Sequence, residues 1–83
     1  VEELLNGVRK MDKMIALNVF HLFEGRGIPA GNFGEQMIRT VAAADKNNQA
    51  KLAMVFPEYV FAVRAYKNSE DSYKALEQLA FGE

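Results

Sequence analysis

The dipeptide Phe56-Pro57 constrains this chain more than any other feature. Proline disfavours helical geometry at the residue before it, so a helical pattern arriving from Asp45 has to stop near Phe56. The same proline suits the first position of a new helix, and Glu58 follows where the positive end of a helix dipole favours an acid. Asp45 is a sound cap for the helix in front, with Asn48 three residues on, and Leu52, Ala53 and Phe56 form its inward stripe. Behind the proline, Tyr59, Val60, Phe61, Ala62, Val63, Ala65 and Tyr66 make a segment apolar nearly all round, interrupted only by Arg64. A helix of that kind is central in its own fold or shared with another chain.

Other helices follow on either side. Leu4, Val8, Met11, Ile15, Asn18 and Leu22 recur at spacings of four and three, which predicts one helix over about Glu2–Phe23. Leu17, Phe20 and Phe23 lie on a neighbouring face, so this helix has two surfaces to cover. Gly25 and Gly27 end it, because glycine takes the left-handed conformation that closes a last turn. Asn32 and Glu35 have the spacing of a capping box for a helix reaching about Ala44, with Phe33, Met37, Val41 and Ala44 as its stripe and Gly34 and Ile38 beside it. Asn68 or Ser69 stops the Pro57 helix and caps a last one, with Tyr73, Leu76, Leu79 and Ala80 buried and Gly82 at its end. The expected fold is all-α, a compact bundle of about five short helices in one domain spanning residues 1–83.

Composition then narrows the function classes. A chain of 83 residues buries roughly 60% of the surface its unfolded form exposes, so a 49% apolar content predicts surplus apolar surface and a homo-oligomer or other partner. The chain contains no cysteine and a single histidine, which removes disulfides and Cys- or His-rich metal sites and fits a cytoplasmic setting. Ten basic against eleven acidic residues leave a formal charge of −1. A dedicated nucleic-acid binder carries a basic excess and a DNA mimic an acidic one, so neither is expected. No apolar run approaches the ~20 residues that cross a bilayer, and no stretch reads as a basic-then-apolar signal segment.

The segment 25–34, GRGIPAGNFG, holds four of the six glycines and one of the two prolines and reads as the flexible stretch of the chain. Glycines let backbone N–H groups face an anion, and Arg26 and Arg39 can supply guanidinium contacts near the helix start at Asn32. The spacing is neither a dinucleotide fingerprint nor a P-loop, so an ordinary connector is the competing reading. Tyr59 and Tyr66, seven residues apart, share a face suited to packing or stacking. His21 among Phe20, Leu22 and Phe23 reads as structural, and the acidic pairs Glu2/Glu3 and Glu70/Asp71 are explained by helix starts. No catalytic residue, metal ligand or cofactor emerges.

Ala44-Asp45, Asn48, Lys51-Leu52, Phe56-Pro57-Glu58-Tyr59-Val60, Ala62 and Tyr66 form the pattern AD..N..KL...FPEYV.A...Y. It resembles small helical proteins encoded in bacteriophage and prophage genomes, over less than half of the chain. The resemblance carries no active-site residue with it. It implies a non-enzymatic binding protein, cytoplasmic in a bacterial host, that counters a defence system by blocking a host protein or sequestering an anionic nucleotide signal. The ligand residues then expected are Arg26, Asn32, Arg39, Tyr59 and Tyr66. The alternative is a small DNA-associated regulator in which the helices Asn32–Ala44 and Asp45–Phe56 act as a helix-turn-helix.

Overall fold

A computed structural model describes residues 12–82. Five helices follow in order: α1 Lys13–Glu24, α2 Asn32–Ala43, α3 Lys46–Val55, α4 Pro57–Asn68 and α5 Glu70–Phe81. The all-helical expectation holds over these residues. Proline opens α4 at its first position, and Phe56 serves both as the end of α3 and as the entry to α4. Its amide still bonds back to the Leu52 carbonyl at 2.7 Å, so only one residue separates the two helices.

The apolar α4 is central. It packs against α1, α2, α3 and α5, and it buries Val60, Ala62, Val63 and Ala65. Around it, α1 supplies Ala16, Val19 and Phe20, α2 supplies Ile38 and Val41, and α5 supplies Leu76 and Ala80. Phe20 is the largest side chain of this core, and its ring meets Tyr66, Tyr73 and Phe81 edge-on at 5.3–5.5 Å. Such aromatic pairs add about 0.5–1.5 kcal/mol each beyond the area they bury. Helix α3 contributes no fully buried residue and lies against α4 through the half-buried Leu52 and Ala53.

The ends of the elements correct several sequence expectations. The continuous helix over Glu2–Phe23 is interrupted at Asp12, which has extended backbone angles and accepts a hydrogen bond from the Met14 amide at 2.9 Å. It is the N-cap of α1, while residues 1–11, with Leu4, Val8 and Met11, lie outside the described part. Within α1 the fully buried side is Ala16, Asn18, Val19 and Phe20, and Ile15 and Leu22 are only half-buried. In α2 the N-cap is Gly31, with no side-chain bond; Asn32 is already helical, so the Asn32–Glu35 box does not form. The buried side of α2 is Gly34, Ile38 and Val41; Val41 keeps its expected place, whereas Phe33 is exposed and Met37 half-buried. The fifth helix is capped by Ser69 rather than Asn68, through a reciprocal box with Ser72. Buried Ser72 also donates to the Ala65 carbonyl at 2.7 Å, joining α5 to α4.

The first part of the glycine loop, residues 25–28, is bonded to α1. Gly25 and Gly27 take positive φ of 77° and 110°. A Cβ on Gly27 would stand 2.5 Å from the Leu17 carbonyl oxygen, so glycine is required there for space as well as for conformation. The buried Asn18 amide donates to the Ile28 carbonyl at 2.8 Å. These contacts hold the loop on α1, in place of the flexible stretch that its composition predicts.

Candidate functional site

Of the five residues singled out by sequence, Arg26 and Tyr66 meet around one carboxylate. The left-handed turn at Gly25 carries the chain back over the end of α1, bringing the Arg26 guanidinium above the rings of Phe20 and Phe81, 5.0 and 4.7 Å from their centres. Arg26 Nε donates to Glu24 Oε1 at 2.8 Å, and its Nη2 donates to the Tyr73 hydroxyl at 3.2 Å and to Glu77 Oε2. The Tyr66 and Tyr73 hydroxyls both donate to Glu24 Oε2, at 2.9 and 2.6 Å. Tyr66 also stacks on Phe23, with ring centres 4.9 Å apart.

The electrostatics of this cluster are mutually consistent. Hydrogen bonds from Tyr73 and then Arg26 hold the Glu24 carboxyl below its usual value, against the opposing effect of burial. Bonding to Glu77 and then Glu24 raises the Arg26 guanidinium further, so it stays charged. Burial, with the bond to Glu24 second, pushes the Tyr66 phenol up to about 12; the bond to Glu24 raises that of Tyr73. All four groups keep their ordinary ionisation near neutral pH. Two carboxylates face one guanidinium, which leaves the cluster net negative and unsuited to attracting an anion. It is a latch between the end of α1 and α5.

The other three residues stand apart from the latch. Arg39 is exposed and pairs with Glu35 one turn earlier on α2, at 3.0 Å. Asn32 is exposed at the first position of α2. Tyr59 is half-buried beside Gly34, where a Cβ would lie 3.4 Å from its hydroxyl, and its ring is 6.4 Å from that of Phe56. The groove that Arg26 lines, with Lys74, Glu77, Gln78, Phe81 and Gly82, contains none of the other four. Among the described residues no group of three or more His, Cys, Asp or Glu is placed to hold a metal ion.

The surface that sequence reasoning missed is apolar. Phe33, Met54 and Val55 are 63%, 85% and 69% exposed; Met54 and Val55 end α3 just before the Phe56-Pro57 step, and Phe33 stands in the first turn of α2. The Phe33 ring lies 5.9 Å from that of Phe56, beside the joint between α3 and α4. The signal was present in the order Met54-Val55-Phe56. Three consecutive apolar residues at a helix end cannot all face one side, since successive side chains are ~100° apart. The partners of Arg26 left no comparable signal, because Tyr73 and Glu77 are 47 and 51 residues away in the chain.

Comparison with protein-family models, with curated proteins and with solved structures finds no match to this chain.

Proposed function

We propose that the chain is a non-enzymatic binding protein whose target is another protein, docked on the apolar corner of Phe33, Met54, Val55 and Phe56. The observation that carries this reading is the exposure of three large apolar side chains, two at the end of α3 and a third, Phe33, whose ring lies 5.9 Å from that of Phe56. Isolated apolar residues are common on surfaces, whereas several large apolar side chains exposed on neighbouring elements are the usual anchors of a protein interface. The latch around Glu24 supports a non-enzymatic role: each polar group there already has a partner within the fold, and none is held in an altered ionisation state near neutral pH. That the target belongs to a bacterial defence system rests on the phage-like motif in Ala44–Tyr66.

The helix-turn-helix reading has less support. The two helices concerned, α2 and α3, are joined by Ala44 and Asp45 alone, shorter than the usual three- to four-residue turn. Each of them packs on α4.

The test compares wild type with Phe33→Glu in crosslinking capture from bacterial lysate, alongside light scattering of the purified protein. Phe33 is exposed, so Phe33→Glu is expected to melt within about 2 °C of wild type, as surface substitutions do. A protein captured by wild type and lost by Phe33→Glu supports the reading. Equal capture by both removes the corner as the binding site. A wild-type dimer that becomes monomeric in Phe33→Glu would make the partner a second copy of this chain.

A further inference from the structure

Between α3 and α4 runs a groove of about 400 Å³ lined by Lys46, Gln49, Ala50, Val63, Arg64, Lys67 and Asn68. Three of these side chains are cationic and none is acidic. Among the described residues none of the three forms an ion pair, whereas Arg26, Arg39 and Lys74 each have a carboxylate partner. The chain as a whole has a formal charge of −1, so this is a local segregation of charge rather than the expression of a basic protein. Helix α3 itself carries no acidic residue from Lys46 to Val55. The neighbouring Asp45 carboxylate is taken by the Asn48 amide at 2.8 Å, as a helix cap.

Arg64 gives the groove its meaning. It is the single charge within the apolar run of α4, between the buried Val63 and Ala65, and its side chain is exposed on the α3 side. Lys67 has a second role, since it stands in the last turn of α4 where a cation complements the helix dipole, with its Nζ 5.6 Å from the centre of the Phe23 ring. Arg64 stands mid-helix and has no such role. Gln49 is not free to donate: its amide nitrogen bonds the Val41 and Ala44 carbonyls at 3.1 and 3.3 Å, fixing the floor of the groove against the end of α2. The groove thus offers the Arg64 guanidinium, with the Lys46 and Lys67 side chains also in its lining, beside the apolar Ala50 and Val63. A guanidinium pairs bidentately with tetrahedral oxyanions, and lysines add point charge around them.

We infer that the α3–α4 groove is a phosphate-binding site, with Arg64 as the bidentate contact and Lys46 and Lys67 as flanking cations. It is independent of the apolar corner. The phosphate can belong to a free nucleotide or to a nucleic-acid backbone; the chemistry recognised is the same, and titration distinguishes the two.

The experiment follows the backbone amide spectrum of the 83-residue protein as inorganic pyrophosphate, ATP or a short DNA duplex is added. The expected result is saturable shifts at Lys46, Ala50, Arg64, Lys67 and Asn68. Affinity should fall by about tenfold or more in Arg64→Gln, the scale of one charge-assisted hydrogen-bonded contact, with an unchanged melting temperature. ATP bound more tightly than the duplex identifies a free nucleotide as the source. A duplex bound more tightly, with log affinity falling against log salt at a slope of about −3 for three contacts, identifies a nucleic-acid backbone. Absence of saturable shifts in the groove, or Arg64→Gln binding as well as wild type, overturns the proposal. Phe33→Glu should bind pyrophosphate as wild type does, so failure at the corner and failure in the groove are read separately.

Discussion

Gly25 and Gly27 share a positive φ, yet a methyl group would meet different surroundings at each. At Gly25 there is open space within 4 Å, and the substitution to alanine costs only the left-handed conformation, about 1 kcal/mol. At Gly27 the added Cβ would be 2.5 Å from the backbone oxygen of Leu17, which cannot rotate away as a side chain can. Gly27→Ala is therefore expected to lose the larger amount, about 1–3 kcal/mol. Chemical denaturation of the two variants gives the comparison directly; equal losses would show that the loop shifts freely off α1. The same scale explains why the loop was misread. Glycine content signals conformational freedom, but the contacts that limit it come from Asn18 and Leu17, each ten residues before its partner in the loop.

At the scale of elements, α3 and α4 are neighbours with opposite characters. Helix α4 buries four residues among all the other helices, while α3 buries none completely. Stability is correspondingly uneven, because local opening follows the apolar contact that must be broken. Amides in the second half of α3 are expected to exchange with solvent at least about tenfold faster than those of Val60–Ala65, a difference of ~1.4 kcal/mol or more in opening free energy. Native-state hydrogen exchange measures this, and uniform protection would mean that α3 opens only with the whole fold. Both proposed surfaces border this least anchored helix: the apolar corner at its end, and the basic groove along its side.

Over the whole molecule, the latch joins the end of α1 to α5 across about fifty residues of chain. Its pH dependence follows from the shifts at Glu24 and Tyr66. The Glu24 carboxyl is held below 4.5, so its stabilising contribution is complete above that value and lost as pH falls through the lower folded one. Tyr66 is raised from 10.0 to about 12, so its contribution is complete below 10 and lost as pH rises through about 12. Wild type should therefore lose melting temperature at both extremes, and Glu24→Gln should flatten the acid limb. The alkaline absorbance midpoint of Tyr66 in Glu24→Gln should move down only part of the way to 10, because burial is the first cause of its shift. An acid limb unchanged in Glu24→Gln would show that Glu24 is not the carboxylate responsible.

The sequence by itself determined the helices, their number over residues 12–82 and most of their ends. Helix periodicity, the Asp45 cap, the Phe56-Pro57 break and the Gly25 stop all act within a few residues, so they are legible without a fold. It also required α4 to be surrounded, either in its own fold or by another chain, and the structure surrounds it with the four other helices. Only the tertiary structure decided which face of each helix turned inward and which charges met. In α2 the inward places went to Gly34 and Ile38 in place of Phe33 and Met37, with Gly34 close against Ala30 and Tyr59, and Phe33 was left on the surface. Arg26 went to its near neighbour Glu24 and also to Glu77, 51 residues on, while Arg64 went unpaired among the described residues; the long-range part of that distinction is set by distances across the fold.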